Sequence, residues 1–298
     1  MHRAIAAWLT ERPWRAAFAA AFCGALSLQM MMPFMVLAGA IPVLVALRAD
    51  SKLALAVAAT AAAAAVWVVV QVAPAVWIVA GLVLLIFSPV LLGLLLKSSG
   101  SLNLCFQVAV TGIAAALLAV HLVLPDPAAI WVDLLKHVLE SMAAAGLTIS
   151  GDKDAMIAIW ARTMWGALAA LALSVVLGSL FLGAWWQTLL DSPGRFGAEY
   201  RRLRLGRVLG VGVTLLFVAA FWSDSALLAS LAWVAFTALS FQGLAAAHRS
   251  KAGGRLNRGW LAAIYVLLIV PLSMSVTVLV LAIWGFADNW LTPRSQAA

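Results

Sequence analysis

The chain has 298 residues, 65% of them apolar and 10% charged, with a mean hydropathy of +1.07. A soluble globular domain carries roughly 45–50% apolar and about 25% charged residues, so this composition excludes one and points to membrane-spanning helices. The net charge of +8 comes from 19 Lys and Arg gathered mostly in a few short loops, a pattern that fits membrane orientation and argues against a nucleic-acid partner.

Arg3, Arg12 and Arg15 precede an apolar stretch over 16–47. At about 1.5 Å per residue that stretch makes ~48 Å of helix against a hydrocarbon core near 30 Å, so one straight helix overshoots. It contains Ala38-Gly39-Ala40, a small-residue triplet of the signal-cleavage type. The apolar run is longer than a signal h-region and starts late, so a retained anchor is expected. Pro33 removes a backbone donor and disfavours helix at the residue before it, which predicts a break there. Further spans are expected over 53–70, 76–96, 104–123, 159–189, 208–222, 226–247 and 260–286. The total is eight membrane segments if the first stretch is one bent helix and nine if it is a hairpin. Cys23 and Cys105 each lie inside an apolar segment, so a disulfide between them is not expected.

Between the spans at 104–123 and 159–189, Pro125-Asp126-Pro127 carries a helix-start signal, with Asp126 as N-cap and Pro127 at the first helical position. Trp131, Leu134, Leu135, Val138 and Met142 then recur at helical spacing, opposite Asp133, Lys136, His137 and Glu140. This predicts one external amphipathic helix, on the outer membrane surface or over the bundle mouth. Asp133, His137 and Glu140 also fall at i, i+4 and i+7, but no second ligand cluster accompanies them and a solvated helix face is expected. Trp8, Trp14, Trp160, Trp185, Trp186, Trp222, Trp260 and Trp290 fall near span ends, as an interfacial belt requires.

Loop charge sets the orientation. Arg195, Arg201, Arg202, Arg204 and Arg207 form one basic loop, and Arg249, Lys251, Arg255 and Arg258 another; both are expected in the cytoplasm. Working back, the 125–154 segment falls outside and the loops at Arg48 and Lys97 inside. Keeping Arg3, Arg12 and Arg15 inside requires a hairpin near Pro33, and counting forward puts the C-terminus, with Arg294, outside.

Four polar side chains, Asn103, Gln107, Thr111 and His121, form a narrow stripe at helix angles of about 0°, 40°, 80° and 0°. Polar groups facing lipid are costly, so the stripe is expected to face the bundle interior, as interhelical glue or as a cavity lining, with His121 at the outer end of its helix. Gln29, Gln71 and Gln242 are further amides near or within spans, expected to satisfy backbone groups. Small residues mark packing seams: Ala16, Ala20 and Gly24 on the first segment, Thr163, Ala167, Ala170, Ser174 and Gly178 on the long span, and Gly206 with Gly210 as a G-x-x-x-G.

The sequence holds no G-x-x-x-x-G-K-[ST] loop, no H-E-x-x-H and no G-x-S-x-G, and charges are almost absent from span centres. A non-enzymatic protein is expected, without cofactor, catalytic or metal residues.

The C-terminal third carries Phe241-Gln242-Gly243-Leu244-Ala245 followed by His248 and a basic loop, then Gly285-Phe286-Ala287-Asp288-Asn289-Trp290-Leu291. With Arg201-Arg202-Leu203-Arg204-Leu205 before a span, these residues resemble the YybS-like family of bacterial polytopic membrane proteins, a group without an agreed activity. Gln242, Gly243, His248, Gly285, Asp288 and Trp290 carry the resemblance. Family members tend to have further basic residues after the final Asp-x-Trp-Leu, where this chain has only Arg294. More distantly the chain is similar to the S-components of energy-coupling-factor transporters, in which a small-residue seam on the first helix docks the coupling subunit. That likeness implies the same role for Ala16, Ala20 and Gly24.

The reading is therefore an all-α, polytopic transmembrane helix bundle forming a single integral membrane domain over 1–298, multi-pass in the bacterial cytoplasmic (inner) membrane. It is expected to bind a small-molecule solute or take part in transport; the alternative is a non-transporting scaffold or assembly factor. Its partners would be the lipid bilayer, a solute or another membrane protein.

Overall fold

A computed structural model describes residues 2–27, 32–72, 76–147 and 151–291, and these contain thirteen α-helices and no strand. They are α1 (His2–Glu11), α2 (Pro13–Leu26), α3 (Met32–Arg48), α4 (Ser51–Val72), α5 (Val76–Ser99), α6 (Leu102–Val123), α7 (Ala129–Ala144), α8 (Lys153–Asp191), α9 (Arg195–Tyr200), α10 (Gly206–Trp222), α11 (Ala226–Ala252), α12 (Arg258–Ile269) and α13 (Pro271–Leu291). Six of them, α4, α5, α6, α8, α11 and α13, are long and apolar enough to cross a membrane. The chain is a helical membrane protein.

The helices fall into two compact units, Met1–Ala109 with Ser174–Arg204, and Val110–Leu173 with Leu205–Ala298. In the first unit Pro13 opens α2 and Arg12 before it is extended, as a residue preceding proline prefers, which separates α1 from α2. The helices α2 and α3 pack against each other, and α3 starts beside Pro33. The turn expected at that break, and Gln29, lie outside the described residues, as does Arg294.

The core of this unit is a seam between α2 and α4. Ala16 and Ala20 are buried with Ala54, Ala58, Ala61 and Ala65, and a Cβ built on Gly24 would run into the Ala61 carbonyl. The start of α2 (Pro13, Ala16) shares a cavity wall with the start of α4 (Leu53), while Gly24, near the end of α2, meets Ala61 halfway along α4. The two helices therefore run parallel, with α3 between them in sequence. The C-terminal part of α8 packs on α3, where Ser179 Oγ donates to the Val36 carbonyl at 3.0 Å and Gly183 meets the Ala40 carbonyl. Trp186 departs from the interfacial belt, since it is buried in this core.

In the second unit the span expected over 260–286 is corrected to two helices. Pro271 ends the run; the Val270 N–H still reaches Val266, and the Ser273 hydroxyl takes up the Leu267 carbonyl at 3.0 Å. The second helix, α13, then runs parallel to α11. Gly243 faces Leu281, Gly285 faces Leu239, and Arg249 pairs with Asp288. An antiparallel pair crossing at the same glycines would put Arg249 beside residue 275, about 20 Å from Asp288 at 1.5 Å per residue. The C-terminal ends of α11 and α13 thus lie together.

Asp126 Oδ1 accepts from the Ala128 and Ala129 N–H groups at 3.0 and 3.2 Å in a turn that leads into α7, and the helix begins at Ala129 with Ala128 as its N-cap, two residues later than expected. Trp131 is buried edge-on against Trp165 of α8, whose indole donates to the Pro127 carbonyl at 2.8 Å. Asp133, Lys136, His137 and Glu140 are exposed, and so are Leu134 and Val138.

Candidate functional site

The polar stripe on α6 is divided between tasks. In the first unit, Asn103 Oδ1 accepts from the Arg204 N–H at 2.6 Å, and Gln107 Nε2 donates to the Arg204 carbonyl at 3.1 Å. Two amides one helical turn apart hold both sides of one loop residue's backbone. In the second unit, His121 Nδ1 lies 3.0 Å from the carbonyl of Leu117 in its own helix, and Thr111 is exposed.

The residues that carried the family resemblance gather on the parallel pair α11 and α13. A Cβ on Gly243 would run into the Leu281 carbonyl, and one on Gly285 into the Leu239 carbonyl, so the two backbones touch. Gln242, beside the first glycine, has no exposed surface. Its Oε1 accepts from the Leu205 N–H at 2.9 Å and its Nε2 donates to the Gly285 carbonyl at 3.0 Å, with Asp288 Oδ2 and Asn289 Oδ1 each at 3.4 Å. Asp288 is buried and closes an ion pair with Arg249 at 2.6 Å, their side chains 6% and 18% exposed. A buried carboxylate of this kind needs such a partner, because desolvating it alone costs several kcal/mol.

Asn289 and Arg249 complete the cluster and were missed as site residues. Asn289 accepts from the Gly206 N–H at 3.2 Å and donates to the Gly206 carbonyl at 3.1 Å. Gly210 makes room for that amide, since a Cβ there would overlap Asn289 Nδ2. The G-x-x-x-G of α10 is thus a seat for one asparagine. Gly206 itself has φ of 83°, a conformation that glycine adopts without strain. Asn289 adjoins Asp288 in sequence, which was the available signal; Arg249 read only as an orienting loop charge. His248 Nε2 meets the Tyr265 hydroxyl at 2.7 Å, and Trp290 is 46% exposed.

The first unit also contains a cavity of about 200 Å³ where α3, α5 and α8 end, α6 begins and α9 lies. Leu47, Leu96, Leu102 and Phe196 give it an apolar wall, and Lys97, Gln187, Thr188, Arg195 and Glu199 give it a polar one. A second, of about 240 Å³, lies between α2, α3 and α4 and includes Arg48. Arg48 pairs with Asp191 at 2.6 Å, and Asp191 in turn accepts from Gln187 Nε2 at 3.0 Å, so the ion pair orients an amide of the first cavity's wall. Five chain segments meet at that wall, and no short motif announces it.

Among the described residues no group of three or more His, Cys, Asp and Glu side chains is placed to hold a metal ion. Cys23 and Cys105 are free and buried. Comparison with known proteins adds no relative: no family model, curated protein or solved structure matches the chain.

Proposed function

We propose that the chain is a multi-pass protein of the bacterial inner membrane, related to the YybS-like group, that binds a small solute without chemical conversion. The reading takes both arginine-rich loops as cytoplasmic and α7 as an amphipathic helix on the outer surface. This arrangement leaves each basic stretch on one side of the membrane, in keeping with the positive-inside rule.

The observation that carries the solute reading is the cavity walled by Lys97, Gln187, Thr188 and Arg195 on one side and leucines and Phe196 on the other. A concave site with an apolar wall and a few convergent polar groups is the usual form of a small-molecule site. The cavity replaces the α6 stripe as the proposed location, because Asn103 and Gln107 are engaged with the Arg204 backbone. That same engagement favours the second reading, a scaffold whose buried polar groups serve assembly alone.

Native mass spectrometry of the purified chain, with thermal shift against a metabolite panel, separates the two. A solute that stabilises the wild type and fails to stabilise Gln187→Trp, which fills the cavity, is the expected result. A co-purifying partner protein with no stabilising solute would leave the scaffold reading in its place.

A further inference from the structure

Building on that reading, we propose that the cavity of the first unit recognises a hydroxylated phosphate ester, such as a glycerol phosphate group, either as a lipid headgroup or as a free metabolite. Two cations from separate elements line it, Lys97 from the last turn of α5 and Arg195 from the first residue of α9. The Lys97 ammonium donates one hydrogen to the Ala49 carbonyl at 2.5 Å, which fixes its position and leaves two for a ligand. Arg195 forms no ion pair among the described residues and offers a planar fork suited to phosphate oxygens. The only carboxylate in the wall, Glu199, has a counter-ion outside the cavity in Arg202, at 3.7 Å.

The remaining polar groups distinguish an ester from a bare anion. Thr188 spends its hydroxyl hydrogen on the Trp185 carbonyl at 2.9 Å, and Gln187 spends an amide hydrogen on Asp191 at 3.0 Å. What they leave for a ligand is mainly acceptor capacity, the Thr188 oxygen and the Gln187 carbonyl. Acceptors repel phosphate oxygens and welcome alcohol hydroxyls. The site therefore has donors at one place and acceptors at another, the pattern of a phosphate joined to a polyol. Its volume of about 200 Å³ is below the roughly 300–1,000 Å³ of pockets for drug-sized ligands, so it suits a headgroup-sized molecule. Leu47, Leu96, Leu102 and Phe196 continue the wall as apolar surface, suited to the start of an acyl chain. On the proposed orientation this end faces the leaflet that presents anionic lipid.

The test uses the full chain in a neutral detergent. One arm measures thermal stabilisation by glycerol 3-phosphate, with inorganic phosphate and glycerol as comparison probes. The other measures, by native mass spectrometry, retention of phosphatidylglycerol against phosphatidylcholine from mixed nanodiscs. Lys97→Gln with Arg195→Gln should weaken binding at least tenfold, the consequence of losing charge-assisted hydrogen bonds of about 1.5–3 kcal/mol each. Both residues are exposed, so the variant is expected to fold, and Lys52→Gln, exposed and outside the wall, should bind as the wild type. Stabilisation in the first arm identifies a free ester, and selective retention in the second a headgroup; either supports the proposal. It is overturned if neither ligand binds, if the double variant binds undiminished, or if inorganic phosphate binds as well as the ester. Should another solute still bind and be excluded by Gln187→Trp, the phosphate assignment falls and the solute-binding reading stands; with no solute at all, both fall.

Discussion

Each unit contains a pair of parallel helices joined through a third, α2 with α4 in one and α11 with α13 in the other, and the two pairs solve close approach differently. The α2–α4 seam is lined by alanine methyl groups, with Gly24 as the one point where a side chain would strike a carbonyl. The α11–α13 seam has glycine on both sides, Gly243 and Gly285, so backbone meets backbone. That closer crossing brings Gln242 within reach of the Gly285 carbonyl and Arg249 within reach of Asp288. The alanine seam lets one small hydroxyl reach across, Thr60 donating to the Ala17 carbonyl at 3.3 Å. The glycine crossing admits larger groups, a buried amide that reaches the facing backbone and an ion pair, and in a membrane that is where an amide finds its partner.

The largest effect should come from the ion pair that the glycine crossing positions. Asp288→Ala leaves Arg249 without its counter-ion in a mostly buried site and should cost about 3–5 kcal/mol, read from chemical unfolding in mixed micelles. Replacing both partners, Asp288→Leu with Arg249→Met, should restore most of the loss. If the double variant is no more stable than the single one, the charges are not what the seam holds together. A smaller cost separates the two seams directly. Gly285→Ala, which forces a methyl group against the Leu239 carbonyl, should cost about 1–3 kcal/mol, whereas Ala20→Gly in the other seam should cost only ~1 kcal/mol, chiefly in helix propensity. Equal costs would erase the distinction drawn between alanine and glycine packing. The smallest expected effect is that of Gln107→Leu, which removes one bond to the Arg204 carbonyl and should lower stability by about 0.6 kcal/mol. A loss several times larger would mean that this loop is held as tightly as the glycine crossing.

Much of the helix plan is legible in the sequence because an apolar run of span length is its own signal. The runs at 53–70, 76–96 and 104–123 coincide with α4, α5 and α6 to within a few residues. The proline rule that predicted a break at Pro33 applies equally at Pro271, but the surrounding residues there are apolar apart from two serines and no charge marks a turn. Asn103, Gln107 and Gln242 stand out as polar residues in apolar helices. What they bind does not, because the Arg204 and Gly285 backbone atoms have no signature in the side-chain alphabet. Arg249 and Asp288 are 39 positions apart, and only the parallel return of α13 brings them together. The cavity at Lys97 and Arg195 is less legible still, as a surface assembled from the ends of several helices.

The length of α8 carries a consequence for the membrane itself. Its apolar part, residues 163–186 between Arg162 and Gln187, makes about 36 Å of helix at 1.5 Å per residue, against ~30 Å of hydrocarbon. Burying all of it needs a tilt of roughly 34°, within the ~40° limit of the range that spanning helices adopt. Standing upright instead, the helix would carry a mismatch of about 6 Å. A thicker membrane relieves that mismatch and a thinner one increases it, which makes the energy of this protein depend on the lipid chain length of the membrane that holds it.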